Sequence, residues 1–319
     1  SAFQDDQMKA CITLWGILTG IEALRDIPLL FCGAGLYQWE FWDVIESAGL
    51  DLVAGLDPSV PIEDFGPLSF LKNAATIVLD APITNGAVNE ISALRLLQQL
   101  ALHEIPSNTN LSPIKALPLL ASLTLDAGQL DSTTFSQLFA SGKLSQNLQG
   151  LRLEEGRFES VGFLANMEKL RQLVLISQNL KNFEGLENLE LLTDLVISTP
   201  QDIDLNPITS IALERLIIDG ANVVDFGELS SMGTLRFLEL ASVQLTDFDF
   251  LKNARGEIEL GLTELYLSGN NISDIDELGM IPSLAALSLA QNPISEITQL
   301  SNFTGLDWLS LAGTEVSDL

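Results

Sequence analysis

The sequence repeats one pattern with a period of about 22 residues, and this period constrains the fold more than any other feature. The segments LTELYLSGNNISDIDELGMI and LAALSLAQNPISEITQLSNF, which begin at Leu262 and Leu284, carry apolar residues at matching offsets. A repeat of this length indicates a stack of small coils and not a single globular core. The first Leu of each L-x-x-L-x-L core is Leu97, Leu120, Leu148, Leu170, Leu192, Leu213, Leu235, Leu262, Leu284 or Leu306.

Each repeat has the pattern of a short strand followed by a tight return. Apolar and polar residues alternate over 265–268, which predicts a strand with one buried face. Over 272–281 the apolar residues recur at every third position, which favours a 3₁₀-like segment. Because one coil cannot bury its apolar edge, the coils must stack. We therefore predict an α/β fold, a right-handed solenoid with a parallel concave sheet and a 3₁₀ or irregular convex side.

The same frame continues more weakly toward the N-terminus. It predicts about 13 coils over residues 27–319, in one elongated domain with a preceding cap. The helical cap is predicted over residues 1–26, because the apolar residues of 8–18 fall on one helix face and Asp5 or Asp6 can cap the start of that helix. The three weaker coils are marked by Ile77 with Leu79, Leu50 with Leu52, and Leu30 with Cys32.

The chain has two cysteines, Cys11 in the predicted cap and Cys32 on the first predicted strand. A helix packed on that strand would bring the two thiols together. We therefore predict a disulfide between cap and solenoid, which would stabilise the fold by ~3 kcal/mol. The alternative is two buried free thiols, and alkylation with and without reductant distinguishes the two.

The cap segment FQDDQMKACI, the Cys on the first strand and repeats of the form L-x-x-L-x-L-x-x-N-x-I-x-x-I-x-x-L resemble the internalin-like branch of bacterial leucine-rich-repeat proteins. The resemblance covers almost the full chain, and the repeat is also similar to that of cytosolic phosphatase-regulating proteins. It implies a leucine-rich-repeat solenoid that binds a protein through its concave face. It also implies an exported protein at the cell surface, in the periplasm or outside the cell, with its signal peptide removed.

The sequence departs from this family pattern in three places. The Asn of the repeat occurs at Asn270 and Asn292 but is replaced in most other coils, where we expect water to satisfy the turn backbone. Steps of 28 and 27 residues, after Leu120 and Leu235, predict inserted loops between Leu130 and Leu148 and between Leu251 and Leu262. The sequence ends within a coil, so either further residues or another chain would cover its apolar end, and end-to-end self-association is an expectation.

The charge of the chain narrows the class of partner. There are 43 acidic and 15 basic residues, with a formal net charge of −28. Nucleic acid and anionic membrane surfaces are therefore unfavourable partners, whereas basic proteins or divalent cations would be attracted. The alternative is that the charge serves solubility. The apolar run 10–21 is too short to span a bilayer.

The sequence gives no support for catalysis. The single His, His103, is expected on an outward strand position without a Ser nucleophile motif near it. Two Cys and one His do not make a structural zinc site, and the acidic segments TDFDF and SDIDEL lack the glycine and glutamate of a calcium loop. We interpret those carboxylates as turn and cap groups. We expect no enzyme activity, no metal and no cofactor.

Outward strand positions offer a candidate ligand-binding surface. Apolar residues recur there although the core does not need them, and charged residues surround them, a composition typical of a protein-binding site. The preference of strands for β-branched residues is the alternative explanation. The alternatives for function are a cytosolic regulatory or inhibitory subunit and a carbohydrate-binding or structural surface module. The predicted surface contains Arg152, Val174, Val196, Ile217, Glu239 and Tyr266 in its middle column and Gln172, Asp194, Arg215, Phe237, Glu264, Trp308 and Ile176 in the flanking columns.

Overall fold

The computed structural model describes residues 29–33, 72–80, 82–253, 255–256, 258, 260–281 and 283–317. The chain divides into two compact units, Ser1–Arg152 and Leu153–Leu319. The predicted cap over 1–26, including Cys11, lies outside the described residues. The cap helix, the disulfide and the single-domain boundaries therefore stay predictions.

The first unit is built on parallel strands that pair in chain order. Alternate residues of these strands point into the core, so that Ile77, Leu79, Leu100 and Leu102 are buried. The elements are β1 (Leu29–Gly33), β2 (Thr76–Asp80), α1 (Asn85–Ser92), β3 (Gln99–Leu102), a 3₁₀ helix (Ser112–Ala116), β4 (Ser122–Asp126), α2 (Ser132–Phe139) and α3 (Lys143–Asn147), followed by β5 (Gly150–Gly156).

Strand β1 pairs directly with β2, and Cys32 lies opposite Leu79 in their register. The weak repeat frame predicted a separate coil at Leu50 and Leu52 between these strands. Leu50 and Leu52 lie outside the described residues, so this coil stays a prediction.

The long step after Leu120 contains helices, so the prediction of an inserted loop is wrong there. Asp131 caps α2, and its Oδ1 accepts a hydrogen bond of 2.7 Å from the Thr134 amide. Phe135 and Phe139, four residues apart on one helix face, are buried and stack with centroids 6.4 Å apart. The insertion therefore adds to the core. The second insertion, 252–261, has no helix or strand among its described residues.

The second unit consists of successive coils, each with a short parallel strand and, in most coils, a 3₁₀ return. Leu173, Leu195 and Leu216 are fully buried, which confirms the inward positions of the repeat. The strands are β6 (Gln172–Ser177), β7 (Asp194–Ser198), β9 (Arg215–Asp219), β11 (Phe237–Ala241), β12 (Glu264–Tyr266), β13 (Ala286–Ser288) and β14 (Trp308–Ser310), with a small separate pair β8 (Asp202–Ile203) and β10 (Asn222–Val223). The 3₁₀ helices are Gly162–Leu164, Leu186–Asn188, Asn206–Ile208, Gly227–Ser231, Asp249–Leu251, Asp276–Met280 and Thr298–Asn302.

Carboxylates at one repeated position begin several of these returns. The Oδ1 atoms of Asp204, Asp225, Asp247 and Asp274 each accept a hydrogen bond from the amide two residues later, at 2.8–3.0 Å. A side chain that bonds its own backbone two residues on stabilises a tight turn. The interpretation of TDFDF and SDIDEL as turn carboxylates agrees with this geometry, and part of the negative charge of the chain has a structural role.

Buried polar side chains link neighbouring coils where the strand ends. Asn270 Oδ1 accepts from the amides of Val243 and Leu245, both at 3.1 Å, while its Nδ2 donates to Leu240 O at 2.7 Å and Leu267 O at 3.0 Å. One coil later, Asn292 Oδ1 accepts from the Ile272 amide at 3.0 Å, and its Nδ2 donates to Leu267 O at 2.8 Å and Leu289 O at 3.1 Å.

Hydroxyl groups serve two of the coils that lack this Asn. Ser177 Oγ bonds the carbonyl oxygens of Gly156 at 2.7 Å and Phe158 at 3.1 Å, and Thr199 Oγ1 donates to Leu180 O at 2.9 Å. Both side chains are buried. The expectation that water alone would satisfy these turns is therefore wrong at Ser177 and Thr199, because the residue before the missing Asn supplies a hydroxyl.

Candidate binding surface on the second unit

The strands of the second unit align their outward residues into columns across the sheet. Each strand of the series β6, β7, β9, β11, β12, β13 and β14 is hydrogen-bonded in parallel to the next. Since parallel neighbours lie ~4.8 Å apart, residues distant in sequence become adjacent. We call this solvent-facing side of the sheet the outer face. Its first column contains Gln172, Asp194, Arg215, Phe237, Glu264, Ala286 and Trp308, and its middle column contains Val174, Val196, Ile217, Glu239, Tyr266 and Ser288.

An apolar strip occupies the part of the outer face nearest β6. Val174, Val196 and Ile217 are side by side in the middle column, and Ile176 lies two residues along β6. All four are only partly buried, whereas the inward residues of the same strands are fully buried. The core is therefore complete without the strip.

Three aromatic rings continue the outer face, and we call Phe237, Tyr266 and Trp308 the aromatic cluster. The Phe237 and Tyr266 rings stack with centroids 5.1 Å apart and 29° between their planes. The Tyr266 and Trp308 rings are 5.7 Å apart at 45°. These two belong to β12 and β14, and the intervening β13 presents the small side chains of Ala286 and Ser288, which leave space for the rings.

The aromatic cluster is reachable from solvent. The Trp308 side chain is 48% exposed, and Phe237 and Tyr266 are each partly buried. Beneath them Leu238 and Leu265 are fully buried. The Phe237 and Tyr266 rings therefore lie over buried core residues, whereas Leu309, the inward neighbour of Trp308 on β14, is 39% exposed.

A cation and a carboxylate hold the aromatic cluster from two sides. The guanidinium carbon of Arg215 lies 4.5 Å from the centroid of the Phe237 ring, which is a cation–π contact. The Tyr266 hydroxyl donates to Glu264 Oε2 at 3.0 Å. Burial raises the pKa of the Tyr266 phenol, and the hydrogen bond to Glu264 raises it further. The hydroxyl therefore remains a donor at neutral pH.

Glu239 places a partly buried carboxyl in the middle column, between Ile217 and Tyr266. Burial raises the pKa of this carboxyl above its ordinary value, the charge of Arg215 lowers it, and the charge of Asp219 raises it. The carboxylate is thus incompletely compensated by its own surroundings.

Most of the predicted surface residues come together on the outer face. Arg152 is an exposed residue of β5 and ends the first unit, so its place on this surface stays a prediction. Sequence reasoning omitted Ala286 and Asp219, although the repeat register would have placed both on outward positions. The sequence analysis assigned no role to the small side chain of Ala286, and it did not include Asp219 among the charges near Glu239.

The described residues contain no group of three or more His, Cys, Asp or Glu placed to hold a metal ion. His103 directly follows β3 in the first unit, where its amide donates to Leu79 O at 2.9 Å. Within the same described ranges, no helix has the length and apolar character needed to cross a membrane.

Comparisons with known proteins agree with the repeat. The family model for leucine-rich repeats in two copies matches residues 261–302, which include β12, β13 and both Asn residues. A search of curated protein sequences finds no significant match. Among solved structures, an internalin (inlF) of Listeria monocytogenes is similar with a TM-score of 0.55 and 19% identity, over 98% of this chain and 96% of that chain.

Two further solved structures are similar at comparable identity. Internalin C2 of Listeria monocytogenes has a TM-score of 0.39 and 19% identity, over 76% of this chain and 83% of that chain. TLR13, solved in a complex with ssRNA13, has a TM-score of 0.49 and 17% identity, over 80% of this chain and 45% of that chain. Likeness at such identity is a likeness of fold, and the repeat subtype stays a prediction.

Proposed function

We propose that this leucine-rich-repeat protein, whose fold is internalin-like, is a non-enzymatic module that binds another protein on the outer face of its second unit. The observation that carries the proposal is the aromatic cluster. Aromatic residues are enriched among the residues that dominate binding energy at protein interfaces, and here they are presented on a surface that the core does not require.

The apolar strip extends the proposed contact area. Val174, Val196 and Ile217 adjoin Glu239 and Tyr266 through continuous strand pairing. An apolar area bordered by charged residues has the composition of an interface centre with a polar rim. Strand preference explains each Val, Ile or aromatic residue by itself, but it does not account for the contacts that join the Phe237, Tyr266 and Trp308 rings into one cluster.

The charge of the chain supports a protein partner over nucleic acid. TLR13 was solved with an RNA, and a similar role for this chain would require basic side chains along the bound backbone. A net charge of −28 opposes that role. Self-association through the last coil stays a separate prediction.

We also propose that the protein is exported. The support is the resemblance of the cap segment and repeats to internalin-like proteins, together with the predicted pairing of Cys11 and Cys32. Mass spectrometry after alkylation of the native protein tests this. Two alkylated thiols would instead favour the cytosolic regulatory alternative.

Affinity capture from host and cell-envelope extracts tests the binding surface. The comparison is between the unchanged chain, the double variant Tyr266→Ala/Trp308→Ala, and a control double variant Leu191→Ala/Val224→Ala. Leu191 and Val224 are 42% and 69% exposed and lie outside the strands of the outer face. We expect a captured protein that the control retains and the aromatic variant loses. Equal capture by all three proteins would refute the proposed surface.

A further inference from the structure

We infer that the aromatic cluster and its neighbouring carboxylates form a seat for a lysine or arginine side chain, so that the ligand is a basic segment of a protein. This inference rests on the proposed function and specifies the chemistry of the partner.

The first support is a contact that the chain already makes. Arg215 lies over the Phe237 ring at 4.5 Å, and the Tyr266 and Trp308 rings continue the series beyond it. Phe237 thus has its cation. The next ring, Tyr266, has carboxylates beside it instead, with Glu264 hydrogen-bonded to its hydroxyl and Glu239 adjacent in the middle column. A cation from a partner would complete the same arrangement at the exposed end of the series.

The second support is the excess of acidic groups on the outer face. Arg215 is the basic side chain of the two columns defined above, and it is already engaged with Phe237. The face carries the carboxylates of Asp194, Glu239 and Glu264 in those columns, and Asp219 lies two residues beyond Ile217 on β9. The surface is therefore complementary in charge to a basic segment, and its negative sign agrees with the net charge of −28 of the whole chain.

The third support is the cost of covering these carboxylates. Any protein that docks on the aromatic cluster removes water from Glu239 and Glu264, and a buried unpaired carboxylate is strongly unfavourable. Glu239 is already partly buried, and burial has raised the pKa of its carboxyl. A purely apolar ligand would leave this penalty uncompensated and an acidic ligand would increase it. A lysine or arginine side chain offsets the penalty and also contacts the rings.

Selection of displayed random peptides against the full chain at physiological salt tests the inference. We expect enriched peptides to contain a Lys or Arg beside apolar residues. Changing that Lys or Arg to Gln in the best peptide should weaken its binding by about tenfold, measured by fluorescence anisotropy. The double variant Glu239→Gln/Glu264→Gln should show a similar loss.

A matched control separates the seat from general electrostatic attraction. The double variant Glu168→Gln/Glu296→Gln removes the same charge from exposed positions outside the outer face, and it should bind the peptide nearly as well as the unchanged chain. Equal weakening by both double variants would overturn the inference, because it would show attraction by net charge alone.

Other outcomes separate the inference from the proposed function. Enriched peptides without a basic residue that still need Tyr266 and Trp308 would overturn the basic seat and leave protein binding in place. A selection that yields no peptide dependent on the outer face would count against the seat. Binding on a glycan array that is lost in Tyr266→Ala/Trp308→Ala would overturn both, because aromatic rings beside carboxylates would then serve a sugar.

Discussion

Replacing Asn270 with Ala should destabilise the second unit by about 3–5 kcal/mol. The Asn270 side chain is 5% exposed and bonds five backbone groups, accepting from the amides of Val243 and Leu245 and donating to the carbonyls of Leu240, Leu267 and, at 3.4 Å, Ser268. The substitution removes their shared partner. Each buried group left without a partner costs about 1–3 kcal/mol. The total is smaller than the simple sum, because a carbonyl that keeps a second hydrogen bond loses less and because water can enter the site.

Urea unfolding followed by circular dichroism measures this loss of free energy. The exposed neighbour provides the control, because Asn271→Ala keeps the backbone bond from its amide to Leu245 O and should change stability by less than about 0.5 kcal/mol. Amide hydrogen exchange adds a local test, since Val243 and Leu245 should lose protection in the Asn270→Ala variant. A loss below about 1 kcal/mol, with both amides still protected, would refute the account of these turns.

The isosteric change Asn270→Asp provides a sharper version of the same test. The new side chain keeps an acceptor for the two amides but directs a carboxylate oxygen at the carbonyls of Leu240 and Leu267, where Asn270 has a donor. We expect a loss at neutral pH at least as large as that of the Ala variant. Protonation restores one donor, so part of the stability should return as the pH is lowered through the range in which carboxyl groups protonate.

Three further predictions address the core, the turns and the outer face. Leu195→Ala should cost about 2–5 kcal/mol in urea unfolding because Leu195 is fully buried, whereas Leu191→Ala, at a residue 42% exposed, should cost far less. Ser177→Ala should cost about 1–2 kcal/mol, and a neutral result would mean that water replaces its hydroxyl without loss. The raised pKa of Glu239 means that the folded state binds its proton more tightly than the unfolded state, so this residue lowers stability as the pH rises from its ordinary pKa through the raised one. Glu239→Gln should therefore gain stability relative to the unchanged chain over that pH range, and a constant difference in urea midpoint would contradict the assignment.

The core of the second unit was predictable because one physical condition repeats in every coil. A strand that is buried on one side must place apolar residues at alternate positions, and Leu173, Leu195 and Leu216 follow that condition. The same condition predicted where Tyr266 and Phe237 lie, since outward positions follow once inward ones are known. The turns were less predictable, because a Ser or Thr one position before the missing Asn satisfies the same backbone by a different geometry.

The insertion after Leu120 was mispredicted although its sequence contained the necessary signals. Asp131 precedes a segment with Phe135, Leu138 and Phe139 at helical spacing, which is the pattern of a capped amphipathic helix. The extra residues were assigned to a loop because the repeat frame gives only the number of residues beyond the period and not their secondary structure. Helix α2 buries those three side chains, so the insertion is part of the core and its excess length alone did not indicate its structure.

The chemistry of the outer face depends on side-chain packing that the repeat pattern of the sequence does not specify. Phe237 and Tyr266 occupy different columns on adjacent strands, and Tyr266 meets Trp308 across a whole strand. Both contacts depend on side-chain torsions and on the small Ala286 between the rings, whereas the repeat fixes only the backbone positions. The orientation of Arg215 toward Phe237 is likewise a consequence of packing. A repeat therefore predicts which residues can face a ligand, and the arrangement of rings and charges among them determines which ligand they favour.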